Sequence, residues 1–192
     1  MRPCLRPRPR GKVRLALTGI AVTLALAACG GSSSSSGVTA AAYVKSVCVT
    51  LATWKSDVTG AASKLQTASS AAKSLVQGKA EYVVFVTSLV AATQKAASGL
   101  KSAGIPNVKD GKQGATTLSQ AFDQASTSLA GTIAKAKAIP TTSAAAYQAA
   151  ASGVSNQFKS SLNALANASP KKNDALKAAA AKDPTCKALN AG

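Results

Sequence analysis

Apolar side chains recur every three or four residues through most of the chain, which is the spacing of one face of an α-helix. The first stretch follows Thr39, a residue type that caps helices, and carries Tyr43, Val47, Leu51, Trp54, Val58, Ala62 and Leu65. We therefore expect a first helix that begins at Thr39 and turns this face toward a core. Gly60 lies inside the stretch, and the pattern leaves open whether the helix continues through it.

A second stretch, from about Ala71 to Ala103, carries Leu75, Tyr82, Phe85, Leu89, Ala92, Ala96 and Leu100. Its YVVFV segment at 82–86 favours a strand by local propensity. The helical spacing nevertheless continues downstream, and no partner strand is evident, so we predict a helix. Gly78 leaves its continuity open, and Gly104 and Pro106 are expected to end it.

Two more long stretches follow, at about Asp110–Ile139 and from near Ser143 to Ser169, and a short fifth helix is expected near Asn173–Ala181. Pro140 and Pro170 stop the third and fourth. Their apolar positions are Ala115, Leu118, Phe122, Ala125, Leu129, Ile133 and Ala136, then Tyr147, Ala151, Val154, Phe158, Leu162 and Leu165. Four amphipathic stretches with short connections predict an all-α fold, an up-down-up-down four-helix bundle with a short C-terminal helix.

The first 28 residues have a different pattern. Met1–Arg14 is basic, and Leu15–Ala28 is uncharged, largely apolar and short for a membrane span. The sequence Leu26-Ala27-Ala28-Cys29 then resembles the bacterial lipobox, in which the cysteine thiol is acylated and the preceding peptide bond is cut. The resemblance implies a lipoprotein signal peptide at 1–28 and lipidation of Cys29. A non-lipidated secretory peptide and a retained membrane helix are the alternatives.

Residues 30–37 read GGSSSSSG, a composition that cannot bury apolar surface and is typical of a flexible tether. We therefore divide the chain into a signal peptide at 1–28, the lipidated cysteine with its tether at 29–38, and a helical bundle domain at 39–192. The expected location is the extracellular face of the cell membrane, with the lipid as anchor.

Charge is strongly positive in the part that remains after cleavage. Six of the 23 Lys and Arg residues precede Leu15, so 17 lysines stay against six acids, a net charge of +11, with no arginine or histidine. This predicts docking on anionic lipid, a wall polymer or an envelope protein. The alternative is a solvated surface that keeps an alanine-rich protein soluble. No nucleic acid partner is expected, because arginine for base contacts is missing.

Residues that carry chemistry are few. Without histidine, Ser-His-Asp triads, Cys–His pairs and histidine-based metal sites are excluded from the processed chain, and we expect no cofactor, no metal and no catalytic residues. Three S-x-x-K matches, at 70–73, 98–101 and 169–172, lack the motifs that accompany them in penicillin-binding proteins. We therefore predict a non-enzymatic protein. The alternative function is a small-ligand binding module with a cleft between helices, and Trp54 and Tyr82 are the candidate residues of that cleft. Aromatic residues on the apolar face of a helix, however, usually belong to a core.

Two thiols remain besides Cys29, and an exported protein meets an oxidising compartment. In an up-down bundle the chain after the fourth helix returns to the level where the first helix begins, so Cys186 is expected near Cys48. We predict a disulfide between them, with two unrelated free thiols as the alternative.

The residues Tyr43-Val44, Val47-Cys48, Leu51 and Trp54, with Asp183-Pro184-Thr185-Cys186-Lys187 near the end, resemble a group of small secreted proteins and lipoproteins of actinobacteria. The resemblance covers roughly residues 40–190 and implies an alanine-rich helical body in the envelope. It implies no activity. The lysine excess of this chain departs from the more acidic composition common in the group.

Overall fold

The computed structural model describes residues 37–167 and 173–191, and in these two segments it contains six α-helices and no strand. The prediction of an all-α fold is therefore confirmed. The helices are α1 (Ala40–Ala71), α2 (Leu75–Ser102), α3 (Gly111–Lys137), α4 (Ala144–Asn167), α5 (Asp174–Lys182) and α6 (Pro184–Asn190). Because α1 and α2 run unbroken through Gly60 and Gly78, the question of their continuity is answered.

Side-chain caps decide where the first two helices begin. Thr39 accepts a hydrogen bond from the amide of Ala42 at 3.2 Å, as the sequence predicted. Ser74 accepts one from the amide of Gln77, whose side-chain oxygen accepts the amide of Lys73 at 2.8 Å. This reciprocal cap starts α2 at Leu75, so the predicted start near Ala71 is wrong; Ala71 is the last residue of α1.

The sequence prediction missed α6. Its N-cap is Asp183, whose carboxylate accepts the amides of Thr185 and Cys186 at 2.9 and 3.0 Å, and Pro184 occupies the first turn. Aspartate followed by proline is a favourable helix start. A helix of only seven residues, however, shows too few apolar repeats to be recognised by its spacing.

Successive long helices are neighbours, as the predicted up-down-up-down order requires. Helix α2 packs against both α1 and α3, and α3 packs against α4. Among the residues that the structure describes, α1 has no extended packing with α4 and contacts α5 and α6 instead. The two short C-terminal helices therefore cover a side of α1 that a regular four-helix bundle would leave to its fourth helix.

The central position of α2 explains its apolar sequence. Val86, Leu89, Val90 and Leu100 are buried, and Tyr82 and Phe85 are half-buried against neighbouring helices. Among the described helices, α2 alone also has the length and hydropathy of a membrane span. Packing against α1 and α3 accounts for most of this composition, although Val76 and Val84 are exposed. The strand propensity of the segment 82–86 is overridden by this packing.

The apolar positions predicted for each long helix lie on its inner face, with one exception on α1. Ala62 is exposed, and its neighbour Ala61 is half-buried instead. The predicted positions are four residues apart from Val58 to Ala62 and three residues apart from Ala62 to Leu65, so they do not stay on one line along the helix. Ala61 lies nearer than Ala62 to the interface with α2.

One end of the bundle is closed by contacts between distant parts of the chain. Val38 donates to the carbonyl of Ile105 and accepts from the amide of Asn107, both at 2.8 Å. The predicted disulfide is present between Cys48 in α1 and Cys186 in α6, with the Cα atoms 5.2 Å apart. Gly111, the first residue of α3, must be glycine because a Cβ atom there would collide with the carbonyl oxygen of Pro106.

Candidate ligand-binding site

The inner faces of α2, α3 and α4 do not fill the space between them. They border a partly open cavity of about 250 Å³ that is almost wholly apolar, which we call the interhelical cavity. Its lining residues are Tyr82, Phe85, Val86 and Leu89 from α2, Leu129 and Thr132 from α3, and Val154, Ser155, Phe158, Lys159 and Leu162 from α4. The volume exceeds that of an engineered apolar cavity of about 150 Å³ that binds benzene.

Three aromatic rings form one wall. Tyr82 and Phe85 have ring centroids 6.1 Å apart and are tilted by 39°, and Phe85 meets Phe158 nearly edge to face at 6.5 Å. Such pairs hold their rings in defined orientations. The wall therefore bridges α2 and α4 and keeps the cavity open between them.

The polar groups of the lining already have partners in the protein. The hydroxyl of Tyr82 lies 2.9 Å from that of Ser155 and donates to the carbonyl of Ala151 at 3.2 Å. Thr132, which is buried, donates to the carbonyl of Leu129. No buried side-chain nitrogen or oxygen in the described part of the chain is without a partner. The cavity walls therefore offer no unsatisfied buried hydrogen-bonding group to a ligand.

A second tyrosine lies beside this wall. Burial raises the pKa of Tyr147 above its ordinary value of 10.0, and the nearby Tyr82 raises it further. Tyr147 therefore stays protonated at neutral pH, and this side of the cavity gains no negative charge from it.

A wider groove of about 390 Å³ separates α1 from α2, but its character is different. The exposed ion pair between Lys95 and Asp57, with an N–O distance of 3.2 Å, lies along it, and much of the remaining surface is polar. Exposed polar grooves of this kind exclude little water from a ligand. The interhelical cavity is the better candidate site.

The structure separates the two aromatic candidates. Tyr82 lines the cavity, whereas Trp54 packs edge to face against Phe122 at 5.5 Å and donates its indole N–H to Thr93 at 3.3 Å. Trp54 is therefore half-buried against the core, and its outer side lines a smaller groove of about 140 Å³ between α1 and α2. Tyr82 contributes both to the core and to the cavity wall.

The remaining candidates are not brought to one site. In the S-x-x-K matches, Ser70 donates to the carbonyl of Gln66 and Lys101 pairs with Asp123 at 2.8 Å. The third match, at 169–172, lies outside the described residues, as do the signal peptide and the lipobox Leu26-Ala27-Ala28-Cys29. Within 37–167 and 173–191, no three metal-ligating side chains cluster.

Sequence analysis placed the apolar lining residues except Val86 on inner helix faces but did not single them out as a site. Ser155, Thr132 and Lys159 were missed altogether, because small polar residues and lysines are abundant in this chain. The comparisons with known proteins found no matching family model, no matching curated protein and no matching solved structure. The resemblance to actinobacterial envelope proteins therefore stays a prediction, and the function must be argued from the geometry.

Proposed function

We propose that this chain is a lipid-anchored, non-enzymatic protein of the cell envelope whose helical bundle binds a small apolar ligand in the interhelical cavity. The observation that carries the proposal is the cavity itself, which is apolar, has aromatic walls and lies between three helices. Native cores are normally close-packed, with few voids larger than a water molecule. A partly open cavity of about 250 Å³ between the helices leaves apolar side chains uncovered, and a bound ligand would cover them.

The lipobox and the fold fit an anchored arrangement together. Eight residues separate Cys29 from Val38, the first residue held by backbone hydrogen bonds to the loop at 105–107. A chain of this length and composition has a reach on the order of 16 Å. The proposed anchor would thus keep the bundle close to the membrane, where apolar small molecules concentrate.

Toluene tests the cavity, because it needs no hydrogen bonds and fits a site of this volume. Toluene at saturation is expected to raise the Tm by roughly 2–4 °C for each kcal/mol of binding free energy. Val154→Phe, which fills the cavity from α4, should abolish the rise. Val84→Phe, which adds the same ring at a position 60% exposed on α2, is the matched control and should keep it.

An unchanged Tm in toluene would overturn the proposal, as would an equal rise in the protein with Val154→Phe. Leu162→Phe, at a half-buried lining position, is the second variant if Val154→Phe does not fold.

A second candidate function is docking on an anionic envelope surface, and the distribution of charge favours it. Two of the 15 lysines in the described residues form ion pairs there, with Asp57 and Asp123; the other 13 form none. All six helices carry at least one lysine. This arrangement supports a diffuse attraction rather than a shaped site, worth about 1 kcal/mol for each lysine near an anionic membrane.

Salt washing of native membranes tests the anchor and the lysines in one experiment. The wild-type protein should stay with the membranes at every NaCl concentration, since an acyl anchor does not depend on salt. A protein that begins at Gly30, added to the same membranes, lacks both the acyl anchor and the apolar segment 15–28, so it should bind at low salt and be released as salt screens its lysines. Release of both proteins at the same salt concentration would contradict the anchor, and a shortened protein that does not bind at low salt would contradict the electrostatic docking.

A further inference from the structure

The interhelical cavity has one charged residue in its lining, and that residue suggests what kind of ligand enters. Lys159 on α4 is exposed, lies next to Phe158 of the aromatic wall, and forms no ion pair among the described residues. No acidic residue belongs to the lining. One side of the cavity therefore presents a single cation at the point where an apolar interior meets water.

The interior itself selects against polar ligands. Its hydroxyl groups, from Tyr82, Ser155 and Thr132, are engaged in hydrogen bonds within the protein. A sugar, nucleotide or amino acid placed there would lose its hydrogen bonds to water without replacement, which disfavours binding. Hydrocarbon has no such loss, and each CH₂ group that leaves water favours binding.

The size of the cavity limits the length of the hydrocarbon. Benzene, with six carbon atoms, occupies a cavity of about 150 Å³. In proportion, a cavity of about 250 Å³ accommodates about ten carbon atoms. A medium-length acyl chain meets this limit.

We propose that the ligand is a single-chain fatty carboxylate, with its acyl chain in the interhelical cavity and its carboxylate paired with the ammonium group of Lys159. This inference rests on the proposed binding of an apolar ligand in the same cavity and adds the head group. The aromatic wall covers one side of the acyl chain, and the other lining residues that contact it are Leu89 of α2, Leu129 of α3 and Val154 of α4. The carboxylate stays at the exposed rim and is not desolvated, so the ion pair orients the ligand more than it strengthens binding.

Calorimetry with three ten-carbon probes tests separately whether the cavity binds the acyl chain and whether Lys159 binds the carboxylate. Decanoate, decanol and decylammonium are titrated into the purified protein below their micelle-forming concentrations. Decanoate should bind with a stoichiometry of one and more tightly than decanol, and decylammonium should bind most weakly. Acetate, which has the head group without the chain, should not bind.

Lys159→Gln supplies the residue-level test. It should weaken the affinity for decanoate by about fivefold and leave the affinity for decanol unchanged, because only the charged pair is lost. Lys55→Gln, which removes an exposed lysine of α1 outside the cavity, is the matched control and should change neither affinity.

The outcomes distinguish the inference from the proposed function. If decanol binds as tightly as decanoate, or if Lys159→Gln and Lys55→Gln have the same effect on decanoate, the fatty-carboxylate assignment is overturned while apolar binding stands. If none of the ten-carbon probes binds, the proposed function and the inference both fail.

Discussion

At the scale of single residues, Tyr43 shows how burial creates a pH dependence. The side chain is 6% exposed and lies in a cluster with Val44, Ala103 and Cys186, and burial raises the pKa of its phenol above the ordinary 10.0. Below pH 10 the folded and unfolded states both hold the proton, so this residue adds no pH dependence. Above pH 10 the unfolded chain loses the proton first, and stability falls as the pH rises.

Replacing Tyr43 by phenylalanine should therefore reduce the loss of stability between pH 8 and pH 11. The measurement is the free energy of unfolding by denaturant at both values, compared as a difference within each protein so that the lysines, common to both, cancel. A residual loss is expected from Tyr147, whose pKa is also raised. An identical loss in the Tyr43→Phe protein and the wild type would show that the phenol of Tyr43 does not contribute.

Residue identity alone could not show which of Trp54 and Tyr82 lines the interhelical cavity. Both lie on predicted apolar stripes, and both side chains combine a ring with a hydrogen-bond donor. The difference arises from what lies opposite: Trp54 packs against Phe122 and Thr93 beside a small groove of about 140 Å³ between α1 and α2, whereas Tyr82 adjoins the larger apolar cavity between α2, α3 and α4. A cavity depends on the summed volumes of side chains from three helices, and helical spacing carries no information about that sum.

At the scale of elements, the periodic pattern predicted the long helices and most of their inner faces. It succeeded even at residues 82–86, because helix packing buries Val86 and half-buries Tyr82, Val83 and Phe85, although Val84 is exposed. It failed where local hydrogen bonds decide a boundary, at the Ser74 cap of α2 and at the Asp183 cap of α6. Caps involve one or two side chains and leave no repeat to detect.

At the scale of the whole molecule, the disulfide compensates for a core of small residues. In the part of the chain that the structure describes, six of the 17 buried hydrophobic residues are alanines, which bury little area each. The bridge joins residues 138 positions apart and so restricts nearly the whole unfolded domain. In the chain-entropy description this contributes roughly 5 kcal/mol. It also holds α6 against α1, on the side that α4 does not cover.

The double substitution Cys48→Ser with Cys186→Ser should accordingly lower the free energy of unfolding by about 2–5 kcal/mol. The denaturant m-value should rise, since an uncrosslinked unfolded chain exposes more surface. Reductant should produce the same change in the wild type and none in the variant.

If the bridge only fastened the C-terminal helices, hydrogen exchange would quicken in α5 and α6 while α2 and α3 kept their protection. We expect exchange to quicken in all of the long helices, because the restriction acts on the unfolded state of the entire domain and not on one contact of the folded one.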